Sequence, residues 1–235
     1  LNQLLALVIA GEKTEGGTLL GELHVSKTLL EGRLSGEKVL GFRSRLFAFP
    51  ELLDSALLRA GYAYDSSLLA ATTLTHFPFK MLQRRAMARE SEILEFPMTF
   101  EDEGKDETLG PAPGAIAATM RKVADNEGSF VWLLSPTGSP AKKALLRAVL
   151  DDLSSGIAKM SLAEGARFWG ARSKARFWFA SGAGGKSLTL HLVLPGRSAQ
   201  GVSFALSRKI NSCKPGRSSE PAFHVSCSGK ILTLE

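Results

Sequence analysis

The hydrophobic spacing of this chain changes once, after Arg172, and that change restricts what it can fold into more than any other feature. From about residue 36 up to that point, short apolar runs alternate with amphipathic stretches of helical spacing, the pattern of βα units around a parallel sheet. Beyond it the period is two, in Lys174-Ala-Arg-Phe-Trp-Phe-Ala180, Ser187-Leu-Thr-Leu-His-Leu-Val-Leu194, Val202-Ser-Phe-Ala-Leu206, Phe223-His-Val-Ser-Cys227 and Lys230-Ile-Leu-Thr-Leu234. Alternation of that kind belongs to antiparallel strands. The expected organisation is an α/β unit over residues 1–172 and a small antiparallel β module over residues 173–235.

Within the first part, Val39-Leu-Gly-Phe42, Tyr62-Ala-Tyr64, Ile93-Leu-Glu-Phe-Pro-Met98 and Phe130-Val-Trp-Leu-Leu134 read as buried strands. Pro50 opens a helix with Leu52, Leu53, Ala56, Leu57 and Ala60 on one face, and Gly61 stands where a helix ends in a left-handed residue. A long connection over residues 66–91 follows, of the kind that carries function or structure of its own. Helices are expected over residues 115–126 and 141–154, and a third through Trp169 behind the capping box Ser161-Leu-Ala-Glu164.

With 235 residues, 44% hydrophobic and 22% charged, the composition is that of a globular chain able to bury a core. The apolar run over residues 4–10 falls far short of the ~20 residues that cross a bilayer, so no transmembrane segment is expected. Leu1 at the front reads as a processed or truncated start. Two cysteines, Cys213 and Cys227, are too few for a disulfide scaffold. A single hairpin disulfide and two thiols are both compatible with their spacing.

Charge is informative once divided by position. Residues 1–170 hold 19 Lys+Arg against 21 Asp+Glu, whereas residues 171–235 hold 10 basic residues and only Glu220 and Glu235. The basic tail suits an anionic polymer or surface, and a merely solvated cationic face is the alternative. Nucleic acid is not expected as a partner. Phe177 and Trp178 are assigned to the module's core or its interface rather than to stacking on bases, and Gly182-Ala-Gly-Gly185 reads as a hairpin turn rather than a phosphate loop. The four histidines, His24, His76, His191 and His224, show no metal-ligand spacing.

In parallel α/β folds, residues just past the C-terminal ends of strands converge on one rim, which carries the active site in barrel enzymes. Here that rim collects Arg43 from the first strand, Asp65 with Ser66 and Ser67 from the second, Thr99 and Glu101 from the third, and Ser135 from the fourth. His76 is the histidine close to it in sequence, and packing between Phe77 and Phe79 is its structural alternative. Arg43 and Asp65 are the candidate catalytic residues; Phe47, His76, Glu101 and Ser135 are the candidate substrate-binding ones.

The ordered set Gly41-Phe-Arg-Ser-Arg-Leu-Phe47, Gly61-Tyr-Ala-Tyr-Asp-Ser-Ser67, Ile93-Leu-Glu-Phe-Pro97 and Phe130-Val-Trp-Leu-Leu-Ser-Pro136, closing with a tail over residues 162–172, resembles the polysaccharide deacetylase family, the NodB-homology carbohydrate esterases. The resemblance spans roughly residues 20–172. It implies part of a (β/α) barrel, an extracellular or cell-envelope location, and hydrolysis of acetyl groups on a glycan by a divalent metal such as zinc. Arg43 matches the family arginine that orients the catalytic base, a role suited to a planar and permanently charged fork.

Several positions depart from the family. The aspartate pair and the two histidines that hold the metal do not occur in residues 1–34, Arg45 stands in place of a proline, and Ser135 stands where the family has its general-acid histidine. A serine hydroxyl cannot deliver a proton as imidazolium does. The expectation is therefore a deacetylase-like protein in a truncated or catalytically degenerate form, with no cofactor held by this chain. The alternative is a non-catalytic protein that binds a glycan on the barrel rim and an anionic cell-envelope polymer on the basic β module.

Overall fold

A computed structural model describes residues 17–34, 37–85, 89–101, 113–134, 140–153, 157–182, 187–193, 203–205, 209, 211–213, 225–228 and 231–234. The chain forms two compact units, Leu1–Ala163 and Glu164–Glu235.

The first unit opens with helix α1 (Leu19–Arg33), whose N-terminus is closed by the Thr18 hydroxyl accepting the Gly21 N–H at 3.1 Å. The elements that follow alternate much as the apolar runs predict: β1 (Gly41–Phe42), α2 (Leu53–Arg59), β2 (Tyr64–Asp65), α3 (Ala70–Thr73), β3 (Phe79–Leu82), β4 (Glu90–Glu95), β5 (Phe100–Glu101), α4 (Pro113–Asp125), β6 (Trp132–Leu133) and α5 (Pro140–Asp152). Strands β1, β2 and β4 run parallel, with Phe42 opposite Asp65 and Asp65 opposite Glu95. Strands β5 and β6 make a second parallel pair, Phe100 opposite Trp132. The described strands form small open sheets, so the fold is mixed α/β and no barrel, whole or partial, is defined by them.

The core lies where α1 and α2 meet the strands. Leu23 from α1, Leu53 and Leu57 from α2, and Ile93 from β4 are each at most 1% exposed and share one cluster with Tyr62 and Met81. Helix α2 stops as its sequence predicts. Arg59 is its last residue and Ala60 caps it, and Gly61 follows with φ +74°, its carbonyl accepting a hydrogen bond from Lys27 Nζ. Only glycine takes that backbone without strain. Gly61→Ala is therefore expected to lower the stability of the first unit by roughly 1–2 kcal/mol in urea denaturation, and an unchanged midpoint would contradict it.

The connection over residues 66–91 carries structure of its own. Strand β3 pairs antiparallel with β4, Phe79 opposite Glu95 and Lys80 opposite Leu94, and so ends the parallel sheet with a reversed strand. Only Met81 of its four side chains is fully buried, which is why no alternating signal marks it in the sequence.

Helix α6 (Leu162–Lys174) begins directly behind Ser161, and the second unit opens within it at Glu164. Arg172 lies over the Trp169 ring at 4.6 Å, three residues away on one helix face. The strand pairings among the described residues of this unit are antiparallel: β7 (Arg176–Ser181) with β8 (Leu188–Val193), and β11 (Ile231–Leu234) with both β9 (Ser203–Ala205) and β10 (Val225–Ser228). The expected turn over residues 182–185 falls at the β7–β8 connection, of which 183–186 lie outside the described residues. Cys213 is disulfide-bonded, and Cys227 is the only other cysteine in the chain. One expectation is corrected. Phe177 and Trp178, assigned to a core or interface, do not fill a core: they are 55% and 52% exposed, because β7 belongs to a two-stranded sheet with exposed side chains all along it.

Candidate functional site

The parallel register brings the ends of β1, β2 and β4 side by side, and the residues just past those ends are laced together. Asp65 closes β2 fully buried, and Glu95 closes β4 fully buried beside it. The Ser67 hydroxyl donates to Asp65 Oδ1 at 2.8 Å and accepts the Ser44 backbone N–H at 2.9 Å, which ties the segment after β1 to the segment after β2. The Ser66 hydroxyl donates to the Phe96 carbonyl at 2.7 Å, and the Leu68 N–H donates to Glu95 Oε1 at 2.9 Å. Each residue of Asp65-Ser-Ser-Leu68 thus holds a neighbouring strand end in place.

Glu95 Oε2 is buried and receives no N–H or O–H from the described residues. Two carboxylates packed at this depth cannot both stay ionised. Burial pushes the Glu95 carboxyl from its ordinary 4.5 up to about 9, and the charge of Asp65 together with the hydrogen bond to it pushes the same way. Asp65 is also raised, first by burial, but the hydrogen bonds from Glu95, Ser67 and Ser66 favour its ionised form. Of the two carboxyls, Glu95 is therefore the one held more strongly in its neutral form.

Arg43 leaves the end of β1 half-buried. Burial pulls its guanidinium below the ordinary value, and the negative charges of Glu101 and then Asp65 pull it back up, so it remains a cation. No carboxylate among the described residues lies within ion-pairing distance of it; its Nη1 reaches Met98 Sδ at 4.0 Å. The guanidinium borders a cleft of about 380 Å³ whose walls include Gly41, Tyr64, Ser66, Trp132 and Leu134. Trp132 packs edge-on against Phe100 at 5.5 Å, Tyr64 packs edge-on against Phe96 at 6.0 Å, and both ring pairs are thereby fixed. The Trp132 indole N–H is buried without an acceptor among the described residues.

Of the residues singled out from sequence, Glu101 and Asp65 each come within electrostatic reach of Arg43. Arg43 borders the cleft directly, whereas Asp65 lies buried behind its wall. His76 is half-buried, with Nδ1 3.3 Å from Thr99 Oγ1 and its carbonyl accepting the Ser129 N–H at 2.8 Å, so it anchors the segment before β6. Phe47 sits half-buried in a 3₁₀ turn, Arg45–Phe47, in which Leu46 and Phe47 both have φ near +55°. Ser135 lies outside the described residues. Glu95, Tyr64 and Trp132 were not singled out; the signal for Glu95 was a lone acid inside an apolar run.

A metal ion of the kind the family resemblance implies needs several convergent oxygen or nitrogen donors. Among the described residues, no three His, Cys, Asp or Glu side chains come together to hold one. The buried carboxyl pair of Asp65 and Glu95 is sealed from solvent, and burial holds Glu95 toward its neutral form. These residues do not fit the ion, and no chemical step is derived through it.

No family model matches the chain, and no curated protein matches it. Among solved structures it is similar to a crystal structure of a protein assigned as a polysaccharide deacetylase from Mycobacterium smegmatis, at 17% sequence identity and a TM-score of 0.50. The match covers 70% of this chain and 65% of that one, so the chain spans about two thirds of the neighbour's length. At that identity the likeness speaks to the fold.

Proposed function

We propose that this chain is a polysaccharide deacetylase-like protein whose first unit recognises an acetylated glycan in the cleft beside Arg43. The observation that carries this reading is the meeting of one cation, Arg43, with the rings of Tyr64 and Trp132 around a cleft at the C-terminal ends of β1, β2 and β6. The C–H faces of a pyranose pack on aromatic rings, whose faces carry negative charge density. A guanidinium fork without a carboxylate partner donates to sugar hydroxyls and to an acetyl carbonyl.

In this reading Arg43 touches the ligand, and Asp65 and Glu95 act as positioning residues through Ser66, Ser67 and Leu68. Phe47, His76 and Glu101 extend the binding surface, and Ser135 is assigned to it from the sequence alone. The α/β unit is read as part of a (β/α) barrel over residues 1–172, in a protein that works outside the cell or at its envelope. Recognition without hydrolysis is favoured by Ser135, which stands where the family that the sequence resembles has its general-acid histidine.

Calorimetric titration of the full chain with N-acetylated chitotetraose and with its fully deacetylated counterpart tests this. The acetylated sugar is expected to bind more tightly, because the deacetylated one carries ammonium groups that Arg43 repels. Arg43→Ala and Trp132→Ala are each expected to weaken binding about tenfold or more, ~1.4 kcal/mol. No acetate release is expected with added zinc. Equal binding of both sugars would sink the recognition reading, and metal-dependent acetate release would sink the non-hydrolytic one.

A further inference from the structure

The antiparallel register of β7 and β8 sorts their side chains onto two faces of different chemistry. Phe177, Phe179, Leu190 and Leu192 share one face. The other carries Arg176, Trp178 and Ala180, opposite Val193, His191 and Thr189. On this second face the Trp178 and His191 rings stack across the strands, parallel to within 3° and 4.9 Å apart. A ring held on one side by a neighbouring ring cannot fold down onto that side. The indole stays 52% exposed, with the small side chain of Ala180 next to it on its own strand and the exposed guanidinium of Arg176 two residues the other way.

We propose that the Trp178–His191 pair, with Arg176, is a second binding site that takes an acidic polysaccharide, the indole stacking on a sugar ring and the guanidinium pairing with its carboxylate. The proposal rests on the reading that the chain handles glycans and extends it to the second unit. The choice of occupant rests on charge. Residues 171–235 hold 10 Lys+Arg against two acids, a field that gathers polyanions, and arginine recognises carboxylates through paired hydrogen bonds. Single-stranded nucleic acid is bound by successive aromatic platforms along a groove. Here the described part of the face offers a single indole, already covered on one side, which fits one sugar residue rather than a run of bases.

The test uses the full chain with three probes: a galacturonate octasaccharide, which is acidic and lacks acetyl groups, neutral chitotetraose, and a short oligodeoxythymidylate. The galacturonate is expected to bind, and to bind more weakly as salt rises from about 50 to about 300 mM, because exposed charges are screened. Trp178→Ala should weaken it about tenfold or more, Trp178→Phe should retain most of the affinity, and Arg176→Gln should lower both affinity and salt dependence. All three variants should bind chitotetraose as the wild type does. Absent galacturonate binding, binding undiminished in Trp178→Ala, or tighter binding of the oligodeoxythymidylate through the same residues would each overturn the proposal. Loss of chitotetraose binding with galacturonate binding intact would overturn the cleft reading alone.

Discussion

Glu95→Gln is expected to flatten the pH dependence of the first unit's stability, and Asp65→Ala to cost it roughly 1–3 kcal/mol for each buried donor it leaves unpaired. The carboxyl of Glu95 titrates at about 9 in the folded chain and near its ordinary 4.5 when unfolded. Folding therefore takes up a proton between those limits. The stabilisation is fully present below about pH 4.5 and declines as pH rises toward about 9, by roughly 1.4 kcal/mol per pH unit for each proton taken up. Glutamine can accept the Leu68 N–H and donate its own N–H to Asp65 without any proton uptake, so the variant escapes that slope. Asp65→Ala removes the acceptor for both Ser67 and Glu95 and leaves those buried donors unpaired. Urea denaturation at pH 5 to 8 checks both variants. Parallel pH profiles for wild type and Glu95→Gln would mean that Glu95 is not held in its neutral form.

Gly41→Ala is expected to abolish binding in the cleft and to cost about 1–3 kcal/mol of stability, the range for overpacking. Gly41 lies opposite Tyr64 in the β1–β2 register, and the Tyr64 ring lies over it so closely that an added Cβ would fall on the ring's own atoms. The ring must then leave its place against Phe96, and the cleft loses one wall. Strand position alone does not require glycine here, since Gly41 has no left-handed backbone. The requirement comes from the neighbouring ring. Gly41→Ala with undiminished chitotetraose binding would show that Tyr64 is no part of the ligand site, and Tyr64→Ala in the same titration separates loss of the ring from distortion of the strand.

The strands and helices that position this cleft are legible in the sequence because each is a local apolar pattern. Leu53, Ala56 and Leu57 bury as their helical spacing predicts, and Gly61 ends the helix where its backbone is needed. Arg43 and Asp65 were legible as residues at strand ends. Their different surroundings were not, because burial of Asp65 depends on its register with Glu95, thirty residues away, and register leaves no mark in a local pattern. The reversed strand β3 was missed for a related reason. It buries one residue of four and owes its existence to pairing with β4 rather than to its own alternation. Trp132 read as one more apolar residue of a good strand, and only the two-sheet arrangement makes it a cleft wall beside Arg43.

The claim that the cleft of the first unit recognises an acetylated glycan is tested most directly on the indole N–H signals of Trp132, Trp169 and Trp178 in ¹⁵N-labelled full-length chain, assigned by substitution and titrated with chitotetraose. The Trp132 signal, from a buried N–H beside the ring pair that walls the cleft, is expected to shift saturably while that of Trp178 stays still. A Trp132 signal that does not move, or one that moves equally with the deacetylated sugar, would contradict the account.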